Sequence, residues 1–392
     1  MSTVFVGHYS EIGLKGKNRR FFEDKLRKNI RFALRDISKG DELSVELRHK
    51  RLSISIENEI DEDAVSAKLK NVFGLVNFSI VKKIPSQSDA IMQTAFELMK
   101  GKTFNTFAVS CKRSDKNYPQ TSVEVNVEVG ACIVEKMNKK VDLSHPDVTC
   151  YIEIMRENTF VYADKQKGAG GLPVDVSGRV LTLMSGGLDS PIAAYYTMKR
   201  GARCEYIHFH SYPYTSQASI DKVKSLIAVL NNYQFYAKVH MIPFSEAQEE
   251  IVLNCPDRMR IVLYRRFMMR IAQKVAEENN INAISTGDSL GQVASQTLAN
   301  IRAINDVVNL PVLRPLIGLD KNEIMDKARE IGTYSISILP HDDACSRFMP
   351  KQPVINAKLE DVYQAEKNLD VDKIVEETLA KREILYIPAR KK

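Results

Sequence analysis

The sequence predicts an α/β protein in which small α+β domains precede a doubly wound parallel sheet. Three strand-like runs in the second half of the chain, at 179–184, 205–209 and 282–286, alternate with helix-like runs. Strands that alternate with helices are typical of a parallel sheet that is covered on both faces. The 392 residues also exceed what one ordinary core accommodates, so we expect two or three domains. The helix-like runs lie at 191–200, 220–230 and 258–278.

The first part of the chain extends to about residue 59. A short strand at 4–6 precedes an amphipathic helix at 19–34, where apolar residues recur every three to five positions. Apolar and polar residues then alternate at 43–47 and again at 52–56, which indicates two further strands. This order of strand, helix and two strands predicts a small α+β domain.

The second part, at 60–165, also mixes the two element types. Helices are predicted at 61–70, 88–99 and 122–137, and strands at 76–82, 106–112, 148–155 and 159–164. A glycine- and proline-rich run at 168–173 marks a hinge. We therefore place a linker at 166–176 and a third part at 177–392. After Pro353 we expect two short polar helices and a frayed basic end.

Composition argues against several classes of protein. No run approaches the roughly 18 uncharged apolar residues that a membrane-spanning helix needs, and the N-terminus lacks the apolar segment of a secretory signal. The six cysteines lie far apart without a C-x-x-C pair, which argues against a zinc ribbon and a disulfide scaffold. We expect a cytoplasmic protein with free thiols and no membrane association.

The net charge of +7 is concentrated near the N-terminus. Residues 12–51 contain thirteen Lys and Arg against six Asp and Glu, so the rest of the chain is close to neutral. A basic segment suits a polyanion such as RNA. A solvated helix face explains the same charge, and charge alone does not choose between them.

A short loop carries the strongest chemical signal. The buried-strand pattern at 179–184 runs directly into S-G-G-L-D-S at 185–190, and Pro191 occupies the first turn of the following helix. Two glycines let a ligand approach the backbone, and a helix N-terminus directs N–H groups at an anion. The end of a strand in an α/β sheet is also where such folds bind ligands. The loop therefore predicts phosphate binding.

The type of phosphate loop follows from what the string contains. It lacks the lysine of a P-loop and the glycine spacing of a dinucleotide fold. S-G-G-x-D-S matches the pyrophosphate loop of enzymes that cleave ATP between the α- and β-phosphates and transfer AMP. A tight turn with a serine cap is the alternative, but it explains neither the paired glycines nor Asp189. A carboxylate among phosphates fits if it holds Mg²⁺ or orients the loop.

Three further places are candidates for chemistry. The run at 285–292, S-T-G-D-S-L-G-Q, follows a strand as a second nucleotide-contacting loop would. Asp320 and Glu323 form a helix-start pattern that places Lys321 in the first turn, where it could face a phosphate or solvent. Cys345 stands beside Arg347 and two aspartates, so its reactivity stays open. His208 and His210 have no evident third ligand, and we predict no metal held by protein ligands alone.

With these motifs the chain resembles the tRNA 4-thiouridine synthetase family, which is also linked to thiamine thiazole synthesis, over essentially its whole length. The matching strings are Y-S-E-I-G-L-K-G-K-N-R at 9–19 and G-A-G-G-L-P-V-D-V-S-G-R-V-L-T-L-M-S-G-G-L-D-S-P at 168–191. The resemblance implies an N-terminal ferredoxin-like domain at 1–59 and a THUMP RNA-binding domain at 60–165. It implies a PP-loop ATP-pyrophosphatase domain at 177–392.

The resemblance also implies a reaction. ATP with Mg²⁺ would adenylate the 4-carbonyl of the uridine at tRNA position 8, and persulfide sulfur supplied by a cysteine desulfurase or another donor would displace AMP. Asp189 and Lys321 would assist adenylation, and Cys345 would handle sulfur. By the family pattern ATP would contact Leu183, Met184, Ser185, Gly186, Gly187, Asp189, Ser190, His208, Phe209, Arg265, Gly287 and Gln296.

One departure leaves the sulfur route open. Long members of the family carry a C-terminal rhodanese domain with a persulfide cysteine, and with a sequence that ends at Lys392 we expect none here. Sulfur could then reach Cys345 from a separate protein or a small donor, and a thiamine sulfur-carrier protein is a further candidate partner. Another adenylating tRNA modifier and a non-catalytic THUMP-type RNA-binding protein remain alternatives. The sequence does not indicate an oligomeric state.

Overall fold

The computed structural model describes residues 3–38, 42–48, 51–57, 59–340 and 350–389. The chain divides into two compact units, Met1–Pro173 and Val174–Lys392. Within the described ranges no helix is both long and apolar enough to cross a membrane.

The N-terminal unit is built on one nine-stranded sheet. Its strand order is β2-β3-β1-β4-β8-β7-β5-β6, and β9 pairs with β4. All of these neighbours are antiparallel except β5–β7 and β5–β6. The strands are β1 Thr3–His8, β2 Leu43–Arg48, β3 Arg51–Ile56, β4 Asn77–Ile84, β5 Thr106–Arg113, β6 Lys140–Val141, β7 Val148–Ile154, β8 Thr159–Tyr162 and β9 Gln166–Lys167. The helices are α1 Arg19–Leu34, α2 Glu62–Leu69, α3 Ser88–Lys100 and α4 Ser122–Met137.

Two helices show why the local sequence sets these elements. In α1 the periodic residues Leu26, Ile30 and Leu34 are fully buried, so the predicted apolar stripe faces the core. Helix α4 begins with a capping box, in which Thr121 and Glu124 satisfy each other's backbone N–H groups. The helices predicted at 19–34 and 122–137 are confirmed.

The sheet curls so that strands separated in its order come into contact. Arg51, at the start of β3, lies 2.5 Å from Glu153 of β7, although β1, β4 and β8 lie between them in the sheet. A guanidinium nitrogen of Arg51 also donates to Ser114, just after β5, at 2.9 Å. The same face of the sheet carries a second apolar core, made of Val4, Val6, Val81, Phe160 and Tyr162.

The C-terminal unit contains a six-stranded sheet in the order β14-β13-β10-β11-β12-β15. Five strands run parallel, and β15 is antiparallel to β12. The strands are β10 Arg179–Leu183, β11 Arg203–His210, β12 Tyr236–Pro243, β13 Ile284–Ser285, β14 Val312–Leu313 and β15 Glu383–Pro388. The helices are α5 Asp189–Lys199, α6 Gln217–Gln234, α7 Ser245–Asn254, α8 Arg260–Glu278, α9 Leu298–Asn305, α10 Lys321–Ile331, α11 Tyr334–Ser337, α12 Leu359–Glu366 and α13 Val371–Ala380.

This topology creates a crevice at a defined place. From β10 the chain adds β11 and β12 on one side of the sheet and then returns to place β13 on the other side of β10. Such a reversal between β10 and β13 opens a crevice at the carboxyl ends of these strands. The loops that follow β10 and β13 are the two glycine-containing runs singled out in the sequence.

The end of the chain contains one strand that the sequence did not predict. Two short helices, α12 and α13, follow Pro353 as expected, and residues 383–388 then form β15. The sequence prediction missed this strand because its side chains at 383, 384, 386 and 388 are exposed and give no buried alternation. The frayed basic end is predicted for residues 390–392, which lie outside the described residues.

Candidate nucleotide-binding site

The S-G-G-L-D-S loop connects β10 to α5 and is held by its two serines. Ser190 Oγ accepts a hydrogen bond from the backbone N–H of Ser185 at 2.9 Å, and Ser185 Oγ accepts from the N–H of Gly187 at 3.3 Å. Ser190 is buried, and Pro191 lies in the first helical turn as predicted. The serines thus fold the loop back on itself at the end of a strand.

The loop that follows β13 packs directly on this first loop. A Cβ atom added to Gly287 would lie 2.8 Å from the backbone nitrogen of Ser190 and 2.9 Å from the carbonyl carbon of Asp189. No side chain fits at such distances from backbone atoms. Glycine at 287 therefore lets the two loops meet.

A cavity of about 400 Å³ opens between these loops and the ends of β10 and β11. Its apolar wall includes Ile207, Ile261 and Met268. Ten of the residues predicted to contact ATP line this cavity: Leu183, Met184, Ser185, Asp189, Ser190, His208, Phe209, Arg265, Gly287 and Gln296. The other two predicted contacts, Gly186 and Gly187, belong to the loop but do not line the cavity. Cys345 lies outside the described residues.

A second, larger cavity of about 730 Å³ lies elsewhere in this unit, between the end of α7 and α12. Its walls contain amide side chains and Cys255, whose thiol donates to the carbonyl of Ala365. None of its lining residues belongs to the loops that follow β10 and β13. The smaller cavity is therefore the candidate site.

Asp189 has an unusual environment at the mouth of the smaller cavity. Its Oδ2 accepts a hydrogen bond from the side-chain amide of Gln292 at 2.9 Å, while Oδ1 is buried without a hydrogen-bond partner among the described residues. Burial raises the pKa of Asp189, the Gln292 amide and the charge of Lys321 lower it, and the charge of Asp288 raises it, with a net upward shift. One oxygen of this carboxylate thus lacks the partner that burial demands.

The unpartnered Oδ1 of Asp189 suits a magnesium ion that binds together with a nucleotide. Mg²⁺ is commonly held by one or two carboxylates together with substrate phosphates and water. Within the described residues no group of three or more His, Cys, Asp and Glu side chains could hold a metal alone. Asp189 is consequently a suitable single ligand from the protein.

A buried ion cluster supports the second loop, and sequence reasoning did not assign it. Asp288 contacts Arg265 at 2.5 Å and Arg314 at 3.2 Å, and it accepts a hydrogen bond from Thr286 at 2.8 Å. Burial raises the pKa of Asp288, but the two guanidinium groups outweigh burial and hold this pKa below its usual range. Asp288 was visible inside the predicted loop, whereas nothing in the sequence pointed to Arg314.

His208 is a buried neutral side chain at the end of β11. Its Nδ1 lies 2.8 Å from the carbonyl oxygen of Met184, and since a carbonyl only accepts, Nδ1 carries the proton. Burial lowers the pKa of His208 to about 4. Nε2 is then an acceptor, and it is buried without a partner among the described residues.

Lys321 is the first residue of α10, as predicted. Asp320 caps this helix and forms a capping box with Glu323. Lys321 is exposed and does not line the cavity, although its charge acts on Asp189. Ser337, in the next helix, donates to the carbonyl of Gly187 at 3.2 Å and so ties α11 to the first loop.

Comparison with known proteins adds three family matches. The ThiI ferredoxin-like domain matches residues 4–79, the THUMP domain matches 85–164, and the family described as thiamine biosynthesis protein (ThiI) matches 175–371.

Two curated relatives illustrate the sequence similarity. A probable tRNA sulfurtransferase of Caldanaerobacter subterraneus subsp. tengcongensis is 44% identical over 377 residues, which covers 96% of this chain and 98% of the relative. A protein of Moorella thermoacetica with the same description is 44% identical over 388 residues, covering 99% of this chain and 98% of the relative.

Two solved structures resemble most or all of the chain. A 4-thiouridine synthetase in complex with RNA and bound ATP shares 36% identity with a TM-score of 0.90, and the match covers 99% of this chain and 100% of that one. The protein PH1313 of Pyrococcus horikoshii has 24% identity and a TM-score of 0.66, over 84% of this chain and 99% of the other. The second match shows the fold alone.

Proposed function

The chain belongs to the thiamine biosynthesis protein (ThiI) family, and from this premise we propose that it replaces the 4-oxygen of a tRNA uridine with sulfur at the expense of ATP. It is a tRNA sulfurtransferase, as are its relatives at 44% identity. One observation carries the proposal: the cavity beside the S-G-G-L-D-S loop, in a chain that superposes with a TM-score of 0.90 on a synthetase that holds ATP and RNA. The product is 4-thiouridine.

We propose that the reaction has two displacement steps. The 4-oxygen of the uridine at tRNA position 8 attacks the α-phosphorus of ATP, the bond to the β-phosphate oxygen breaks, and pyrophosphate leaves. Sulfide, or the outer sulfur of a persulfide, then attacks carbon 4, and the carbon–oxygen bond breaks as AMP leaves. Sulfide gives 4-thiouridine directly. A persulfide leaves the uridine in an S–S bond to the donor cysteine, and a second thiolate must then attack that cysteine sulfur, which releases 4-thiouridine and forms a disulfide. The first step is needed because the oxygen of an amide-like carbon is otherwise a poor leaving group.

The cavity offers distinct surroundings for the two ends of ATP. Ile207, Phe209 and Met268 form an apolar wall that suits the adenine ring, and the unprotonated Nε2 of His208 supplies an acceptor there. The loop at 185–190 and the start of α5 suit the phosphates, since N–H groups at a helix start favour anions. Bound Mg²⁺ would neutralise phosphate charge at Asp189. Lys321 is proposed to assist departure of pyrophosphate.

The sulfur step is proposed to use Cys345, which lies outside the described residues. A cysteine desulfurase or a small sulfide donor would supply the sulfur. The family description also names thiamine biosynthesis, so we propose a second role in which sulfur passes to a thiamine sulfur-carrier protein.

Mass analysis of tRNA nucleosides tests the function. Unmodified tRNA is incubated with the protein, ATP, Mg²⁺ and sulfide, and we expect 4-thiouridine at position 8 only when ATP is present.

Two variants test the assigned residues. Asp189→Asn should abolish both pyrophosphate release and thiolation. Cys345→Ala should retain pyrophosphate release and lose thiolation from a persulfide donor. Full thiolation by Cys345→Ala from a persulfide donor would refute the sulfur route, and product formation without ATP would refute the proposed reaction.

A further inference from the structure

The side chain of Gln292 joins the second loop to the first at the carboxylate of Asp189. Its Nε2 lies 2.9 Å from Oδ2 of Asp189, and both side chains are partly buried. A glutamine amide nitrogen only donates, whereas an ionised carboxylate only accepts, so the direction of this hydrogen bond is fixed. Neither the family pattern nor the loop motif assigns a role to Gln292.

The turn that presents Gln292 is closed by its own backbone. The N–H of Gly291 donates to the carbonyl of Gln296 at 2.9 Å, and Gly291 has a φ of +75°, which glycine adopts without strain. The N–H of Gln296 donates to the carbonyl of Val293 at 2.9 Å. Together with the close approach of Gly287, these contacts place the amide of Gln292 against Asp189.

The hydrogen bond divides the two oxygens of Asp189 into different roles. Oδ2 has a partner in Gln292, while Oδ1 is buried without one among the described residues. A carboxylate free to rotate about its last bond would not keep a fixed plane. The amide of Gln292 holds that plane, because rotation away from it would break the hydrogen bond. Oδ1 consequently keeps one position on Asp189, a residue that lines the cavity.

We propose that Gln292 is a positioning residue for the ATP reaction, which holds Oδ2 of Asp189 so that Oδ1 keeps its position as a ligand for the divalent cation that ATP carries. The inference rests on the proposed function, since it requires ATP in this cavity. Partners that orient a metal-binding carboxylate commonly change metal affinity by about 10–100-fold when they are removed.

The first experiment measures cation binding without turnover. Mn²⁺ is titrated into the full-length protein with saturating α,β-methylene-ATP, and free Mn²⁺ is measured by electron paramagnetic resonance. Gln292→Leu should weaken Mn²⁺ binding by about tenfold. Affinity for the nucleotide without metal should stay within about twofold, because Gln292 does not line the cavity. Unchanged Mn²⁺ affinity in Gln292→Leu would overturn the proposal.

A second variant tests the amide donor rather than the packing of the side chain. Gln292→Met keeps a side chain of similar length but has no donor for Oδ2 of Asp189. Mn²⁺ binding by Gln292→Met should weaken as much as in Gln292→Leu, and wild-type Mn²⁺ affinity in Gln292→Met would overturn the proposal.

A matched control separates this contact from loss of any amide. Gln93 also donates to a carboxylate, that of Glu97 at 2.6 Å, but on the exposed face of α3. Gln93→Leu should leave both Mn²⁺ binding and pyrophosphate release unchanged. Pyrophosphate release by the wild type with ATP and tRNA is measured in parallel. If the wild type releases none, the proposed function fails, while the Mn²⁺ titration still decides the role of Gln292.

Discussion

Backbone atoms of Asp189 and Ser190 occupy the space where a side chain at position 287 would begin. The nearest of them lies 2.8 Å from an ideal Cβ, and backbone atoms cannot rotate away as a flexible side chain would. A methyl group there would force the second loop off the first. The requirement for glycine at 287 is thus one of contact between two loops, independent of any contact with a ligand.

We predict that Gly287→Ala weakens ATP binding by about tenfold and destabilises the C-terminal unit by about 1–3 kcal/mol, the usual cost of overpacking. Isothermal titration with ATP and urea unfolding measure the two effects. Gly318→Ala is the control, because Gly318 has open space around its Cβ position. Its effect on stability should stay within about 0.5 kcal/mol. Equal effects of the two substitutions would contradict the steric explanation.

His208 makes the stability of its unit depend on pH. In the unfolded chain the histidine pKa is 6.5, whereas burial lowers it to about 4 in the folded protein. The unfolded state therefore binds more protons between these values, and stability falls as pH drops from about 6.5 towards 4. Above pH 6.5 this group contributes no pH dependence.

We predict that the titration of His208 lowers the free energy of unfolding of the wild type by about 2 kcal/mol when the pH falls from 7.5 to 5.0. His208→Asn keeps a side-chain donor but does not titrate in this range, so its loss over the same interval should be smaller by about that amount. Urea unfolding at the two pH values measures the difference. His145→Asn, at an exposed position, should lose as much stability as the wild type. A wild-type pH dependence in His208→Asn would show that His208 does not titrate as described.

Individual site residues could be predicted from the sequence where they belong to a recognisable motif. The serines, glycines and Asp189 of the first loop form a recognisable string, and the family pattern placed His208 and Arg265 at the cavity. The contact of Arg314 with Asp288 and that of Gln292 with Asp189 could not be predicted, because each joins residues that only the folded chain brings together. The roles of all these residues in catalysis remain predictions.

Among the elements, one buried carboxylate links several strands of the curled N-terminal sheet. Glu153 of β7 contacts Arg51 of β3, His8 of β1 and Tyr162 of β8. Burial raises the pKa of Glu153, but the hydrogen bond from His8 and the charge of Arg51 outweigh burial and hold it below 4.5. Its stabilising effect is present above the unfolded pKa and is lost as pH falls through the folded one.

We predict that Glu153→Gln destabilises the N-terminal unit by about 3 kcal/mol, because it leaves the largely buried Arg51 without its countercharge. Thermal unfolding of the full-length protein at pH 7 measures the loss. Lys68→Met removes an exposed ion pair with Asp36 from the same unit and should change stability by less than about 0.5 kcal/mol. A loss in Glu153→Gln no larger than that of Lys68→Met would contradict a role for Glu153 in joining the strands.

Elements with a regular pattern could be predicted, and those completed by tertiary pairing could not. The apolar period of α1 predicted that helix with its bounds, and α4 was likewise predicted at 122–137. Strand β13 is shorter than the apolar run at 282–286, because only two of its residues pair with neighbours. Strand β15 was missed because it lies at an exposed edge, where burial gives no alternation.

Across the whole molecule, positive charge and the nucleotide cavity belong to different parts of the chain. The excess of +7 falls within residues 12–51, whereas the cavity is lined by residues of the C-terminal unit. Lysines and arginines that neutralise tRNA phosphates release counterions, which makes binding weaker as salt rises. We expect the affinity for ATP, which binds in a small and partly apolar cavity, to depend much less on salt concentration.

We predict that the logarithm of tRNA affinity falls linearly with the logarithm of salt concentration, and that Lys17→Ala and Arg20→Ala each reduce the slope by about one. Both side chains are exposed in the basic segment. Filter binding between about 50 and 200 mM salt measures the slope. Lys373→Ala, on an exposed position of α13, should leave it unchanged. A slope equal in all four proteins would exclude the segment from the RNA contact.

The antiparallel edge strand β15 also has a consequence for how the molecule is made. Strand β12 leaves the ribosome long before its outer neighbour β15 is synthesised, so its outer N–H and C=O groups wait without a strand partner. An unpaired edge of this kind is a template for pairing with another chain. A nascent or proteolysed chain that stops before residue 383 keeps that edge, and we expect such fragments to aggregate more readily than the full-length chain.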